Sequence, residues 1–382
     1  MRNRALLAAL LMLLSSSLAR ADDLLVYFGT HVAGAGKGFS VSHFDTDSGV
    51  LSPPKYLLDA PGPAYFVFDR SQKFLYTCNS THPEFTSQKS GGISSYSVDP
   101  KTGELTLLNS VASLGEDPSY ISLDKNEHFC FVANYKTGSV AAFALRPDGR
   151  IGNCVSSLQY PGHGTDPVRQ TQSHAHSIIP DPTNHYVLVA DLGLDTVSVY
   201  RFENQAGWLL ANDPPLFHIK AGSGARHMAF DSTGKFLYVI SEMGSLITVL
   251  NWDSSRGTAS EIQEISTLPA DFKGTSAAAE ITIHPSGKFL FATNRGDNSL
   301  AVFTIDSGTG KISLLQHISS GGKTPRNFAI DPKGKWLVVT NHDSNNAVVF
   351  AIDQETGRLT QKGEPVGVTY PFCPRFGKPE GN

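Results

Sequence analysis

The chain is predicted to be an all-β protein: a seven-bladed β-propeller with four antiparallel strands per blade, closed by pairing its N- and C-terminal strands in one blade. Three observations predict it. A strand–turn–strand motif recurs six times, two further strand patterns follow in each repeat, and the two ends of the chain match the missing halves of one more motif. Composition agrees. The 382 residues include 35 Gly and 22 Pro but only 17% charged residues, which suits many short strands and turns rather than long helices.

The N-terminus sets the address. Arg2 and Arg4, the apolar run from Ala5 to Leu14 and the small-residue site Ala19-Arg20-Ala21 read as a secretory signal cut after Ala21. Residues 1–21 are therefore expected to be removed, leaving 22–382 as a single propeller domain in the periplasm. The early run is too short for a stable membrane span, and no later segment is apolar enough to be one. With a net charge of −4 and no Lys/Arg-dense run, nucleic acid is not an expected partner. A monomer acting on a small molecule is expected. The four cysteines, Cys78, Cys130, Cys154 and Cys373, are permitted disulfides by export, but read as separate buried thiols without metal-type spacing.

The repeated motif is clearest in Gly222–Glu242, GSGARHMAFDSTGKFLYVISE. A Gly-rich bend leads through Arg226-His227 into a strand, a turn at Asp231–Gly234 and a returning strand to Glu242. The returning strands are KFLYTCNS, HFCFVANY, HYVLVADL, KFLYVISE, KFLFATNR and KWLVVTNH. Each follows a four-residue turn led by Asp69, Asp124, Asp181, Asp231, His284 or Asp331. They recur every 47 to 57 residues, close to the roughly 40–50 residues of known blade repeats. Third strands such as Ser299–Ile305 alternate apolar and polar, and a D-x-x-T-G or P-D-G turn then leads to a fourth strand such as Lys311–Gln316. At the ends, Leu24–His31 matches a second strand and Tyr370–Phe376 a first strand, so together they complete the seventh blade and leave no open sheet edge.

Aligning the repeats places two rings of residues at one mouth of the central channel. The start of the first strand contributes Ala64, Ser119, His176, Arg226, Ala279, Arg326 and Phe372. The end of the second contributes His31, Ser80, Tyr135, Leu192, Glu242, Arg295 and His342. A purely structural repeat keeps similar residues at equivalent positions, yet one arc gathers several cations around a single carboxylate. Arg226 and Glu242 read either as a blade-end ion pair or as half of an active site. His174-x-His176 allows two ligands on one strand face, but no further Cys or carboxylate completes a set, so no metal and no cofactor are expected. Arg326 and His342 read as substrate-holding or merely solvating rim residues. The connection carrying His163, Asp166 and Arg169 reads equally as a cap or a surface excursion.

With these residues in place, the chain resembles the seven-bladed lactonase family, which includes a bacterial type of 6-phosphogluconolactonase and the fungal carboxy-cis,cis-muconate cyclase. The resemblance rests on His174–Phe202, GSGARHMAF, SEMGSLITV, Ile281–Phe303 and TPRNFAIDPKGKWL. It implies that His176, Arg226, Glu242 and Arg295 are the functional residues, coinciding with the arc; Ala225 replaces the usual Pro and Ser241 a frequent Asn. The implied reaction is opening of a sugar δ-lactone by activated water. Glu242 is expected as general base, Arg226 and Arg295 on anionic groups and the carbonyl, and His176 as acid or anchor. His31, His227, Arg326 and His342 are the expected substrate-binding residues. Export favours glucono-1,5-lactone, as in exported gluconolactonases of the family, over the phosphorylated substrate of the family name. The alternative is a non-catalytic periplasmic propeller that binds ligands or proteins.

Overall fold

The computed structural model describes residues 23–377 apart from 33 and 35. The expected signal segment thus lies outside the described residues. Seven antiparallel sheets are arranged in chain order around a central channel. Blade one is the closure. Its first strand is Pro371–Gly377, which pairs with Asp23–Thr30, followed by Gly38–Asp45 and an outer edge in two pieces, Val50–Leu51 and Lys55–Asp59. Blades two to seven occupy 63–112, 118–159, 175–218, 225–266, 277–319 and 325–367, each with four strands in sequence order.

The sequence patterns explain this layering. Second strands such as Phe236–Ser241 are buried at every residue, because both of their faces pack against neighbouring blades. Fourth strands such as Leu359–Gly367 are mostly exposed and polar. The turn Asp does the same work in five of the repeats. The Asp231 side chain accepts the Phe236 N–H at 2.8 Å, and Asp331 accepts that of Trp336 at 2.6 Å. Blade six carries His284 instead, which pairs with Ser286 Oγ at 2.8 Å and donates to the Gly334 carbonyl of the next blade at 2.7 Å.

Aromatic side chains lock blade to blade. Tyr27 donates to the Gly103 carbonyl at 2.9 Å, Tyr238 to that of Gly310 at 2.9 Å, and Trp336 Nε1 to that of Thr46 at 2.7 Å, the last bond spanning the closure between blades seven and one. Of the cysteines, Cys78, Cys130 and Cys373 are buried free thiols. Cys154 is also free but exposed, because it sits in an outer strand, so the expectation of buried thiols fails for it.

One backbone feature recurs in all seven blades and serves the channel. The pairing between first and second strands slips at the ring position, so Ala64, Ser119, His176, Arg226, Arg326 and Phe372 each stand as an extra residue opposite no partner. In blade six the slip takes in Ala279 and Glu280. A bulge re-aims one side chain out of the pleat. Here it turns the ring residue toward the mouth.

Replacing Tyr238 by Phe deletes a buried blade-to-blade hydrogen bond at nearly constant shape. We expect a loss of about 1–3 kcal/mol in urea unfolding; an unchanged midpoint would show that this bond does not hold the ring.

Candidate active site

The mouth contains a cavity of about 300 Å³, walled by the arc residues His176, Arg226, Glu242, Arg295 and Arg326 and by residues from the facing blades. His31 and His227 line it too. His342 does not: it stands at the rim, its Nδ1 2.7 Å from Asp343 and its ring edge-on to Phe372. The structure therefore brings together every expected site residue except His342.

The Gly222–Ala225 bend that leads into this arc is held by the preceding blade. Asp195 accepts the N–H groups of Gly222 and Gly224, each at 2.7 Å. Gly224 takes φ +71°, and a Cβ there would press on Leu192 and Met243. Its carbonyl accepts the Glu242 N–H at 2.8 Å, while the Glu242 carbonyl accepts the N–H of Ala278 from blade six at 3.1 Å. The Glu242 backbone is thereby fixed to both neighbouring strands.

The Glu242 carboxylate is the hub. Its Oε2 accepts Arg226 Nε at 3.0 Å and lies 2.6 Å from Arg295 Nη2, and its Oε1 accepts Arg169 Nη2 at 2.8 Å. Arg169 comes from the connection between blades three and four, which answers the cap question: this loop folds over the mouth. Asp166 accepts the N–H groups of Val168 and Arg169, and Gln170 Nε2 donates to the Leu192 carbonyl at 2.8 Å. Arg169 is a site residue that neither ring contains, because it belongs to no repeat.

Burial alone would push the Glu242 carboxyl up, but Arg295, Arg226 and their neighbours hold it well below the usual carboxylate range. Such a carboxylate is a weak base. Arg226 is fully buried and pushed down to about 10 by desolvation and by Arg295. It also donates from Nη1 to the Ala279 carbonyl at 2.6 Å, and Arg295 donates to the carbonyls of Ala277 and Ala278. Arg326 stacks on the Phe372 ring at 4.1 Å, forms no ion pair among the described residues, and is lowered to about 9, chiefly by burial.

Burial and Arg226 hold the His176 imidazole well below its usual value, so it is neutral at physiological pH. Its Nδ1 is enclosed without a partner, and its ring packs edge-on to Tyr135 and His227. His227 is also held neutral by burial and Arg226, with Nδ1 engaged 3.1 Å from Glu280 Oε1. Glu280 is itself raised to about 7 by burial and also meets Asn327 Nδ2; Arg375 donates to Asn327 Oδ1 at 2.9 Å. This polar layer floors the cavity. Among the described residues no group of three or more His, Cys, Asp or Glu is placed to hold a metal. No helix among them is long and apolar enough to cross a membrane.

Comparison with known proteins gives one consistent answer. A family model described as a seven-bladed β-propeller lactonase matches residues 25–376. The 6-phosphogluconolactonase of Bacillus subtilis (strain 168) is 33% identical over 350 residues, covering 92% of this chain and 97% of its own. The 6-phosphogluconolactonase of Formosa agariphila is 31% identical, with 77% of this chain and 82% of its own covered. Among solved structures, the periplasmic gluconolactonase of Pseudomonas aeruginosa superposes with a TM-score of 0.86 at 31% identity, covering 93% of this chain and 99% of that one.

The hub makes a stability prediction with a definite pH sign. Glu242→Gln leaves buried guanidiniums uncompensated and is expected to cost about 3–5 kcal/mol. Arg169→Gln, at a half-exposed side chain, should cost less than about 1 kcal/mol. The Glu242 pKa is depressed on folding, so its contribution is complete above pH about 4.5 and is lost as pH falls through the lower folded value. Denaturant midpoints measured across that acid range should fall more steeply for wild type than for Glu242→Gln. Parallel slopes would contradict the account.

Proposed function

The chain belongs to the seven-bladed β-propeller lactonase family and is a lactonase, a carboxylic ester hydrolase, and from that premise we propose that it hydrolyses glucono-1,5-lactone to gluconate outside the inner membrane. The observation that carries the mechanism is a neutral His176 imidazole beside guanidiniums fixed on Glu242, in a cavity sized for one sugar ring. The signal-like residues 1–21 and the likeness to a periplasmic gluconolactonase support the exported setting and, with it, an unphosphorylated substrate.

The roles follow from protonation. The conjugate acid of a general base titrates best near working pH. Glu242 and His176 are both held below their ordinary values, but both Glu242 oxygens are engaged by guanidiniums, whereas His176 Nδ1 has no hydrogen-bond partner among the described residues. We therefore propose His176 as the base in place of Glu242, which was expected in that role as the only carboxylate of the rings. His176 takes a proton from water as the water oxygen bonds to the lactone carbonyl carbon. The free Nη groups of Arg226 and Arg295 stabilise the oxyanion that forms. The imidazolium then returns its proton to the ring oxygen as the bond from carbonyl carbon to ring oxygen breaks, giving the open acid, which ionises. Glu242 holds the two arginines in position throughout. Arg326, with no acidic ion-pair partner among the described residues, holds oxygen atoms of the substrate, and His31 and His227 shape the walls.

The test is acid release from glucono-1,5-lactone and its 6-phosphate, followed by pH-stat above spontaneous hydrolysis. We expect turnover of the unphosphorylated lactone, and a fall of roughly 10²–10⁴ in kcat for His176→Asn. No turnover of either lactone would leave the chain a binding propeller. The pH profile is a separate check. Because the His176 pKa is depressed, the basic form persists below its usual pKa, so kcat/KM should stay flat down through pH 6.5 and fall only further into acid. An acid limb centred at or above pH 6.5 would remove His176 from the base role.

A further inference from the structure

Blade two breaks the repeat at the same mouth. In blades three to seven, three or four residues join the second and third strands; in blade two, residues 80–91 do so, and they include a 3₁₀ turn at Pro83–Gln88. No residue of that turn is buried, while Ser80, His82 and Ser90 on either side of it are. The insert walls a second cavity of about 300 Å³, with Thr81, Thr86 and Lys89 from the insert facing Glu116 from the connection between blades two and three and Lys136 from blade three. His31 and Asp117 line both this cavity and the active one, their side chains 3.7 Å apart.

Ring order fixes where this second cavity lies. Blade five, which carries Arg226 and Glu242, is three steps from blade one in one direction and three from blade two in the other. The two cavities therefore meet across the channel from Arg226 and Glu242. In a six-membered aldonolactone the carbon bearing O4 lies opposite the carbonyl carbon. With the carbonyl at blade five, O4 faces blades one and two, and any group attached there enters the second cavity.

The lining identifies that group. Two lysines face two carboxylates, with Lys136 Nζ 2.8 Å from Glu116 Oε1 and Asp117 paired to His31. A phosphate would gain little from such balanced charge. Closely spaced donors and acceptors, with the hydroxyls of Ser80, Thr81 and Thr86 among them, suit the hydroxyls of a sugar. We propose that the cavity walled by the 80–91 insert is a second sugar subsite, and that 4-O-glycosylated aldono-1,5-lactones, the lactones of disaccharides, are the preferred substrates. This inference rests on the lactonase reading above and specifies its substrate class. Contacts to the remote sugar supply binding energy that the reacting ring alone does not.

The experiment compares kcat/KM for 4-O-β-glucosyl-glucono-1,5-lactone and glucono-1,5-lactone, in wild type and in Thr81→Trp. Thr81 is exposed and outside the catalytic arc, so a large side chain there fills the second cavity alone. Wild type should favour the disaccharide lactone by roughly tenfold or more, a gain of about 1.4 kcal/mol. Thr81→Trp should erase that preference while keeping wild-type activity on glucono-1,5-lactone. No preference in wild type overturns the proposal, as does a Thr81→Trp protein with wild-type melting that keeps the preference. If neither lactone is opened, the lactonase reading has failed instead. Calorimetry with the open acids then decides the subsite: tighter binding of the disaccharide acid than of gluconate supports it, and equal binding overturns it.

Discussion

The contact between one buried carboxylate and three guanidiniums sets the terms for the whole mouth. Glu242 alone would not stay charged in a closed site, and Arg226 and Arg295 would repel one another without it. Together they are fixed. The cluster ties blade five to blade six through Arg295 and to the loop between blades three and four through Arg169. It also leaves an excess of positive charge facing the cavity, oriented before any substrate arrives, which is the form of stabilisation that a developing oxyanion uses best.

The same field has a second effect. Burial and the arginines keep His176 and His227 uncharged, so an imidazole that can accept a proton sits beside groups that can stabilise an anion. Environment rather than residue type sets the charge states: burial and the arginines hold the imidazoles neutral, and the same arginines hold the Glu242 carboxylate ionised. Below them, Glu280, Asn327 and Arg375 close the floor, giving His227 a polar partner in the channel.

Most of the architecture was legible in the chain because its signals repeat. A four-residue turn between two apolar runs, met six times and led by Asp in five of them, leaves little choice of fold, and the unmatched strands at the two ends imply the closure. Two of the expectations for the mouth take a different reading from the geometry. Glu242 looked like a base because it is the ring's single carboxylate, but its charge partners come from three separate segments, and one of them, Arg169, lies in a loop outside the repeat. His342 occupied the right register yet turned to Asp343 at the rim. The bulges were invisible for a related reason. Strict alternation along Ala225–Phe230 predicts where each side chain points, and one inserted residue changes that for Arg226 without altering the apolar pattern that marks the strand.

Whether Glu242 is a clamp or a base turns on its protonation, which can be read directly. A ¹³C NMR titration of the protein labelled at the glutamate carboxyl carbons resolves the Glu242 signal against pH. The account predicts a carboxylate that stays ionised from neutral pH down past 4.5, with a midpoint below that value. A midpoint raised toward neutrality would contradict it and return the role of base to Glu242.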